Sequence, residues 1–177
     1  DPILFNFLTV ATRFTTSITA GRDETRFRKY IGRADFVRGY DRQAYDTYFC
    51  SGENAPANAG DACGALQLFG SRVAFANAEL RFPLVRRLDL GLLPIALPPV
   101  EGAFFYDAGL AWDGGMKVTA RRPANYDQNT MRFPLRSYGF GMRINLFGFV
   151  VLRWDYAKPL DAANRKAFGT WSFGPSF

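Results

Sequence analysis

A period of two runs through most of this chain and constrains its fold more than any other feature. It is plainest in the last ten residues, where Trp171, Phe173, Pro175 and Phe177 alternate with Thr170, Ser172, Gly174 and Ser176. Such alternation puts one kind of residue on one face of a β-strand and the other kind on the opposite face. Five further segments repeat it: about Leu4–Thr19, Ser71–Pro83, Gly102–Asp113, Arg132–Leu146 and Phe149–Pro159. In Gly102–Asp113, for example, Phe104, Tyr106, Ala108, Leu110 and Trp112 oppose Asp107 and Gly109. In Phe149–Pro159, Val150, Leu152, Trp154 and Tyr156 oppose Arg153 and Asp155. The expected fold is all-β and antiparallel, and each segment reaches the ~9–11 residues that a tilted membrane strand needs.

Alternation alone fits two environments. A soluble sandwich buries one face and wets the other, and a membrane barrel turns one face to lipid and the other to its lumen. Composition separates them. Aromatic residues make up 16% of the chain, led by 18 Phe, yet the mean hydropathy is only -0.12. A barrel in which lipid-facing and lumen-facing residues alternate has this near-neutral average. No run of ~18 apolar residues exists, which excludes a membrane-spanning helix; the longest apolar stretch, Leu90–Val100, is broken by Gly91, Pro94, Pro98 and Pro99. Trp112, Trp154, Tyr156 and Trp171 are expected toward the loop-side ends of the strands, where aromatic girdles form.

The net charge of +6 first suggests nucleic acid. The arginines, however, are scattered singly through strand-like segments and form no patch, so nucleic acid is not an expected partner. The chain has no His, so no Ser-His-Asp or Cys-His pair is possible, and no paired carboxylates or phosphate-binding glycine loop are seen. No catalytic role, metal or cofactor is expected. The two cysteines, Cys50 and Cys63, lie close together in a Gly/Asn/Ala-rich loop and suit a disulfide, which implies an oxidising compartment. The start at Asp1, without Met, reads as a mature or processed product, and the missing leader says nothing about the compartment.

Loop lengths give the strands a direction. If Phe177 marks the periplasmic end, Leu146-Phe147-Gly148 is a short periplasmic turn, and 161–166, 113–129 and 21–70 are external loops. Short turns inside and long loops outside is the outer-membrane barrel pattern. The Pro-rich 84–101 connection departs from it and is read as strand extensions plus a turn. Six strands are too few to close a barrel, and an open edge in lipid would leave backbone groups unpaired. The chain is therefore expected to be the C-terminal portion of a longer barrel, with 1–177 one unit that includes the 21–70 loop.

That loop carries Val37-Arg38-Gly39-Tyr40. The tetrapeptide resembles the VRG(F/Y) signature in the sixth external loop of the BamA/TamA superfamily of outer-membrane insertases and two-partner-secretion barrels. In order and spacing, the segments 73–83, 104–113, 138–143 and 153–159 and the terminal Phe177 look like that family's last strands. The resemblance implies a sixteen-stranded barrel in a Gram-negative-type outer membrane, with the loop folded back into the lumen. It implies that Arg38 docks near Asp155, with Gly139 and Gly141 giving room for the approach. The position of Asp155 on the polar face agrees with this; the alternative is that Asp155 pairs with a neighbouring Arg143 or Arg153. Trp171, Phe173 and Phe177 resemble the C-terminal signal read by outer-membrane assembly machinery. Implied partners are the lipid bilayer with its lipopolysaccharide, that machinery, unfolded outer-membrane clients and the missing N-terminal strands. The implied role is protein insertion, assembly or translocation. The alternative is an anchor or exporter for a fused periplasmic or surface domain, or a structural part of an envelope assembly.

Overall fold

A computed structural model describes residues 8–22, 24, 26–40, 65–85, 88–89, 96–97, 99–127, 129–146, 150–162 and 166–175. Six long strands form one antiparallel sheet: β1 Thr9–Ile18, β2 Arg72–Val85, β3 Val100–Trp112, β4 Leu135–Leu146, β5 Val150–Pro159 and β6 Phe168–Pro175. They pair strictly with their neighbours in chain order. Among the described residues there is no α-helix, only a single 3-10 turn at Ala65–Leu68. Among the described residues no helix is long and apolar enough to cross a membrane, which says nothing of strands. The all-β antiparallel expectation matches this sheet.

Two placements differ from the sequence reading, and the 84–101 connection follows it as strand extensions around a turn. The segment expected at Arg132–Leu146 is split: Met131–Arg132 pairs in parallel with Lys117–Val118, and β4 starts only at Leu135. Pro134 lies between and has no N–H to continue a ladder. Across the 84–101 connection, β2 runs on to Val85, β3 begins at Val100, and Leu88–Asp89 pairs with Ala96–Leu97. The register shifts between Pro83 and Val85, and such an irregularity is where a strand tolerates proline. Finally, Trp154 and Trp171 sit mid-strand and face each other at 6.4 Å between ring centroids, away from the loop ends where they were expected.

The register aligns side chains into rows. On one face, Val10, Leu80, Phe104, Phe140 and Tyr156 lie in one cross-strand row, and Phe82, Gly102, Met142, Trp154 and Trp171 lie in the next. This face is open: Val10 and Phe14 are each 73% exposed and Phe173 is 75% exposed. The other face carries Arg13, Asn77, Asp107 and Ser137 in one row and Arg143 and Arg153 in another. Residues 30–40 and 65–70 cover its loop end. There Ile31, Val37, Tyr40 and Leu68 pack with Val73, Phe75, Ala111 and Leu135 into the hydrophobic cluster of the molecule. The apolar face is thus the exposed one and the polar face the buried one, the reverse of a soluble sandwich.

Candidate functional site

The site is built where the loop meets the polar face. Each of its four motif residues has a distinct seat. Val37 is fully buried against β3 at Gly109, where an added Cβ would run into the Val37 side chain. Gly39 has φ +84°, a left-handed conformation that suits glycine, and a Cβ there would come within 3.3 Å of Ala157. Tyr40, also fully buried, donates its hydroxyl hydrogen to the Arg136 carbonyl at 2.8 Å and accepts from the Asp161 amide at 3.1 Å. The loop is thereby tied to the start of β4 and to the residues after β5.

Arg38 is 3% exposed and lies in a nest of acids. Its Nε and Nη2 donate to the two carboxylate oxygens of Asp107 at 2.6 and 2.8 Å, and its backbone N–H adds a bond to Asp107 Oδ2 at 3.1 Å. This is the parallel two-bond geometry that makes Arg–carboxylate pairs strong and directional. Nη1 lies 2.8 Å from Glu79 Oε1 and 3.6 Å from Asp155 Oδ1, without hydrogen-bond alignment to either. The guanidinium carbon sits 3.6 Å from the centre of the Phe105 ring, a cation–π contact on the remaining side. Asn77 completes the nest, donating to Asp107 Oδ1 at 2.8 Å and to the Phe36 carbonyl at 2.7 Å.

The expected Arg38–Asp155 ion pair is present at 3.6 Å, but it is not the principal contact of Arg38. Asp107 on β3 is the bidentate partner, and Asp155 on β5 is a more distant member of the ring, with its Oδ2 buried and unbonded. Asp107 and Asp155, on separate strands, converge through Arg38. An added Cβ at Gly139 would strike the Tyr156 carbonyl and the Phe105 ring, and one at Gly141 would strike the Asp155 carboxylate. They make room for the residues around Arg38, while Gly109 admits the loop itself. Glu79, Asn77, Phe105 and Gly109 were not foreseen as site residues. The available signal was their period-two phase, which sets all four on the face of Asp107 and Asp155.

Below the loop the polar face opens into a cavity of about 750 Å³, lined in part by Arg13, Arg81, Arg143, Arg153 and Glu101. Glu79 joins the two levels: Arg143 donates to it at 2.6 Å and Arg81 at 2.9 Å, while it faces Arg38 on the other side. A buried cluster of this kind survives only when every charge has a counter-charge, and the chain of carboxylate and guanidinium groups supplies it. Among the described residues no group of three or more His, Cys, Asp or Glu could hold a metal ion.

A second, half-buried cluster clasps the loop base to the end of β3. Glu24 accepts from the Ser71 hydroxyl at 2.9 Å and from the Gly114 amide, and Asp113 accepts from the Ser71 amide at 2.8 Å and from Arg28. The Ser71 hydroxyl and Gly114 amide hold the Glu24 carboxyl below its ordinary value. Burial would raise Asp113, but the Ser71 amide and Arg28 outweigh it and hold that carboxyl low as well.

Trp171 and Phe173, expected from the resemblance to belong to a C-terminal signal, project from the open face, 63% and 75% exposed. Phe177, and the Cys50–Cys63 pairing, lie outside the described residues.

The model of the Omp85 superfamily domain matches residues 3–176, almost the whole chain. The chain belongs to the Omp85 superfamily. Proteins of this superfamily are outer-membrane proteins of Gram-negative-type bacteria or organelles, and membership points to protein insertion or translocation in general, not to enzymatic catalysis. No curated protein and no solved structure matches this Omp85 chain. The six-stranded sheet is consistent with part of a barrel.

Proposed function

We propose that this Omp85 chain is the C-terminal part of a BamA/TamA-type barrel of about sixteen strands. Its whole protein inserts, assembles or translocates proteins in a Gram-negative-type outer membrane. The observation that carries the reading is the seating of Val37-Arg38-Gly39-Tyr40 on the polar face, with Arg38 in a bidentate bond to Asp107. A loop pinned by a buried ion nest holds the strands of the lumen wall in one arrangement, and the neighbouring open face meets lipid. Other strands of the whole protein meet the free edges of β1 and β6. The terminal signal around Trp171, Phe173 and Phe177 is then the edge read by assembly machinery, since an unpaired strand templates onto another sheet.

The test uses the full-length protein reconstituted in vesicles with an unfolded outer-membrane barrel as substrate. The wild type accelerates substrate folding, and Arg38→Glu abolishes the acceleration. Arg38→Glu with Asp107→Arg recovers part of it. A wild-type protein that migrates as a folded barrel before boiling yet leaves substrate folding unchanged defeats the insertase reading.

A further inference from the structure

We propose that the loop end of β3, β4 and β5 carries, on its open face, a site for the phosphate of an outer-leaflet lipid headgroup. The proposal rests on the reading above in one respect, that this face meets lipid with its loop end outward.

Tyr106, Tyr138 and Lys158 are direct cross-strand partners, so they form one row across three adjacent strands about 4.8 Å apart. All three are exposed. Lys158 stands one residue from the end of β5 and makes no ion pair or hydrogen bond among the described residues. Arg136 follows on the same face of β4, two residues nearer the loop. Its backbone N–H, Nε and Nη2 all bond to Asp161, at 2.9, 2.9 and 2.7 Å, so the guanidinium is fixed in place. Its Nη1 makes no hydrogen bond among the described residues, and the side chain remains one-third exposed. On the side away from the loops, the next rows are aromatic: Phe140 and Tyr156, then Trp154 and Trp171.

The chemistry of this row is one-sided. It presents an ammonium, a pinned guanidinium and two phenols, all hydrogen-bond donors, and its nearby carboxylate, Asp161, is already occupied by Arg136. An unpaired ammonium on an apolar face is stable where its stem lies along hydrocarbon and its head reaches the polar boundary. Tyrosines prefer the same level. Donors converging at that level on a surface that faces acyl chains suit a phosphate carried by a lipid. The aromatic rows below offer the acyl chains a contact surface.

The test measures lipid retained by full-length protein in mild detergent, by native mass spectrometry. The probes are lipopolysaccharide, the same lipid after enzymatic dephosphorylation, and inorganic phosphate as competitor. Wild type retains the phosphorylated form preferentially. Lys158→Gln lowers that retention about fivefold, the effect of about 1 kcal/mol expected for one lysine at an anionic surface. Lys158→Arg restores it, and Tyr138→Phe lowers it by a smaller factor. Lys117→Gln, an exposed lysine in the 113–129 loop, leaves it unchanged. Equal retention of the two lipid forms overturns the site, as does an equal loss in Lys117→Gln, which would make the effect general surface charge. Displacement by inorganic phosphate at millimolar concentration also overturns it, because the site would then be one for free anion. Gel migration before and after boiling separates the two failures. A wild type that shifts on boiling but shows no phosphate preference loses the site alone. A wild type with no shift loses the barrel reading beneath it.

Discussion

The two faces of the sheet spend the same residue alternation on opposite problems. The open face exposes Val10, Phe14, Phe104, Phe140, Trp171 and Phe173, and among the described residues no buried charge lies on it. The loop-covered face buries Arg38, Asn77, Asp107 and Asp155. On the open face, stability comes from non-directional contact, so one apolar residue replaces another at low cost. On the covered face it comes from matched charges with defined geometry, where removing one partner strands the others. Tolerance to substitution should therefore differ sharply between residues adjacent in sequence.

The largest effect is expected at the ion nest. Asp107→Asn removes the bidentate partner of Arg38 and is expected to destabilise the folded barrel by about 3–5 kcal/mol, the range for breaking a buried pair. Asp155→Asn should cost clearly less, because Asp155 stands 3.6 Å from Arg38 and makes no aligned bond to it. Urea midpoints of the full-length protein in detergent check this. Equal losses at the two positions would return the lock to Asp155 and erase the asymmetry drawn here.

Next is the open face. Phe140→Arg, one row inward from Tyr138 and Lys158, is expected to cost about 1–3 kcal/mol, between the values for the bilayer interface and the midplane. Phe140→Leu should cost less than about 1.5 kcal/mol. Folding into lipid vesicles measures both. A Phe140→Arg protein as stable as wild type would mean that the open face does not meet hydrocarbon.

A gentler cut falls on the loop seat. Gly109→Ala places a methyl against the Val37 side chain, and overpacking of this kind costs about 1–3 kcal/mol. Val37→Ala in the same protein should recover part of the loss, since it vacates the space. If the double variant is no better than Gly109→Ala, the contact between this loop and β3 is not what limits the substitution.

The sheet was legible because its signal is local. Each strand declares its phase within a few residues, and the phase carried through to the register; Asp107, Asp155, Glu79 and Asn77 all fell on the face that alternation assigned to them. The ends were less legible where a proline interrupts: Arg132 was assigned to β4, but Pro134 breaks the ladder before Leu135. The motif residues at 37–40 were found through resemblance, yet Arg38's principal partner was not. Asp107 and Asp155 are both acidic, both on the polar face, and lie on strands that flank β4. Which one receives the guanidinium depends on how deep and at what angle the loop sits. That is fixed by Val37 against Gly109 and Tyr40 against Arg136 and Asp161, contacts between residues far apart in the chain. Period-two patterning carries no information about them. Trp112 does end β3 at the loop, but Trp154 and Trp171 do not, for a related reason: hydropathy gives their face but not their height along the strand.

The smallest expected effect separates the buried nest from the half-buried clasp. Glu24 and Asp113 both have carboxyls held below their ordinary values in the folded protein. A group depressed on folding stabilises the folded state fully above its unfolded value, about 4 for carboxylates, and that contribution is lost as pH falls through the folded value. The clasp should therefore loosen as pH drops below about 4 and be indifferent between pH 5 and 8. Limited proteolysis of the intact barrel across that range reads the loop base directly, since cleavage after Arg26 or Arg28 requires the clasp to open. Glu24→Gln should raise cleavage modestly at neutral pH and flatten the acid dependence, while Arg38 stays protected. Wild-type cleavage that climbs between pH 8 and 5, with the carboxylates still charged, would mean that something other than these two groups closes the loop.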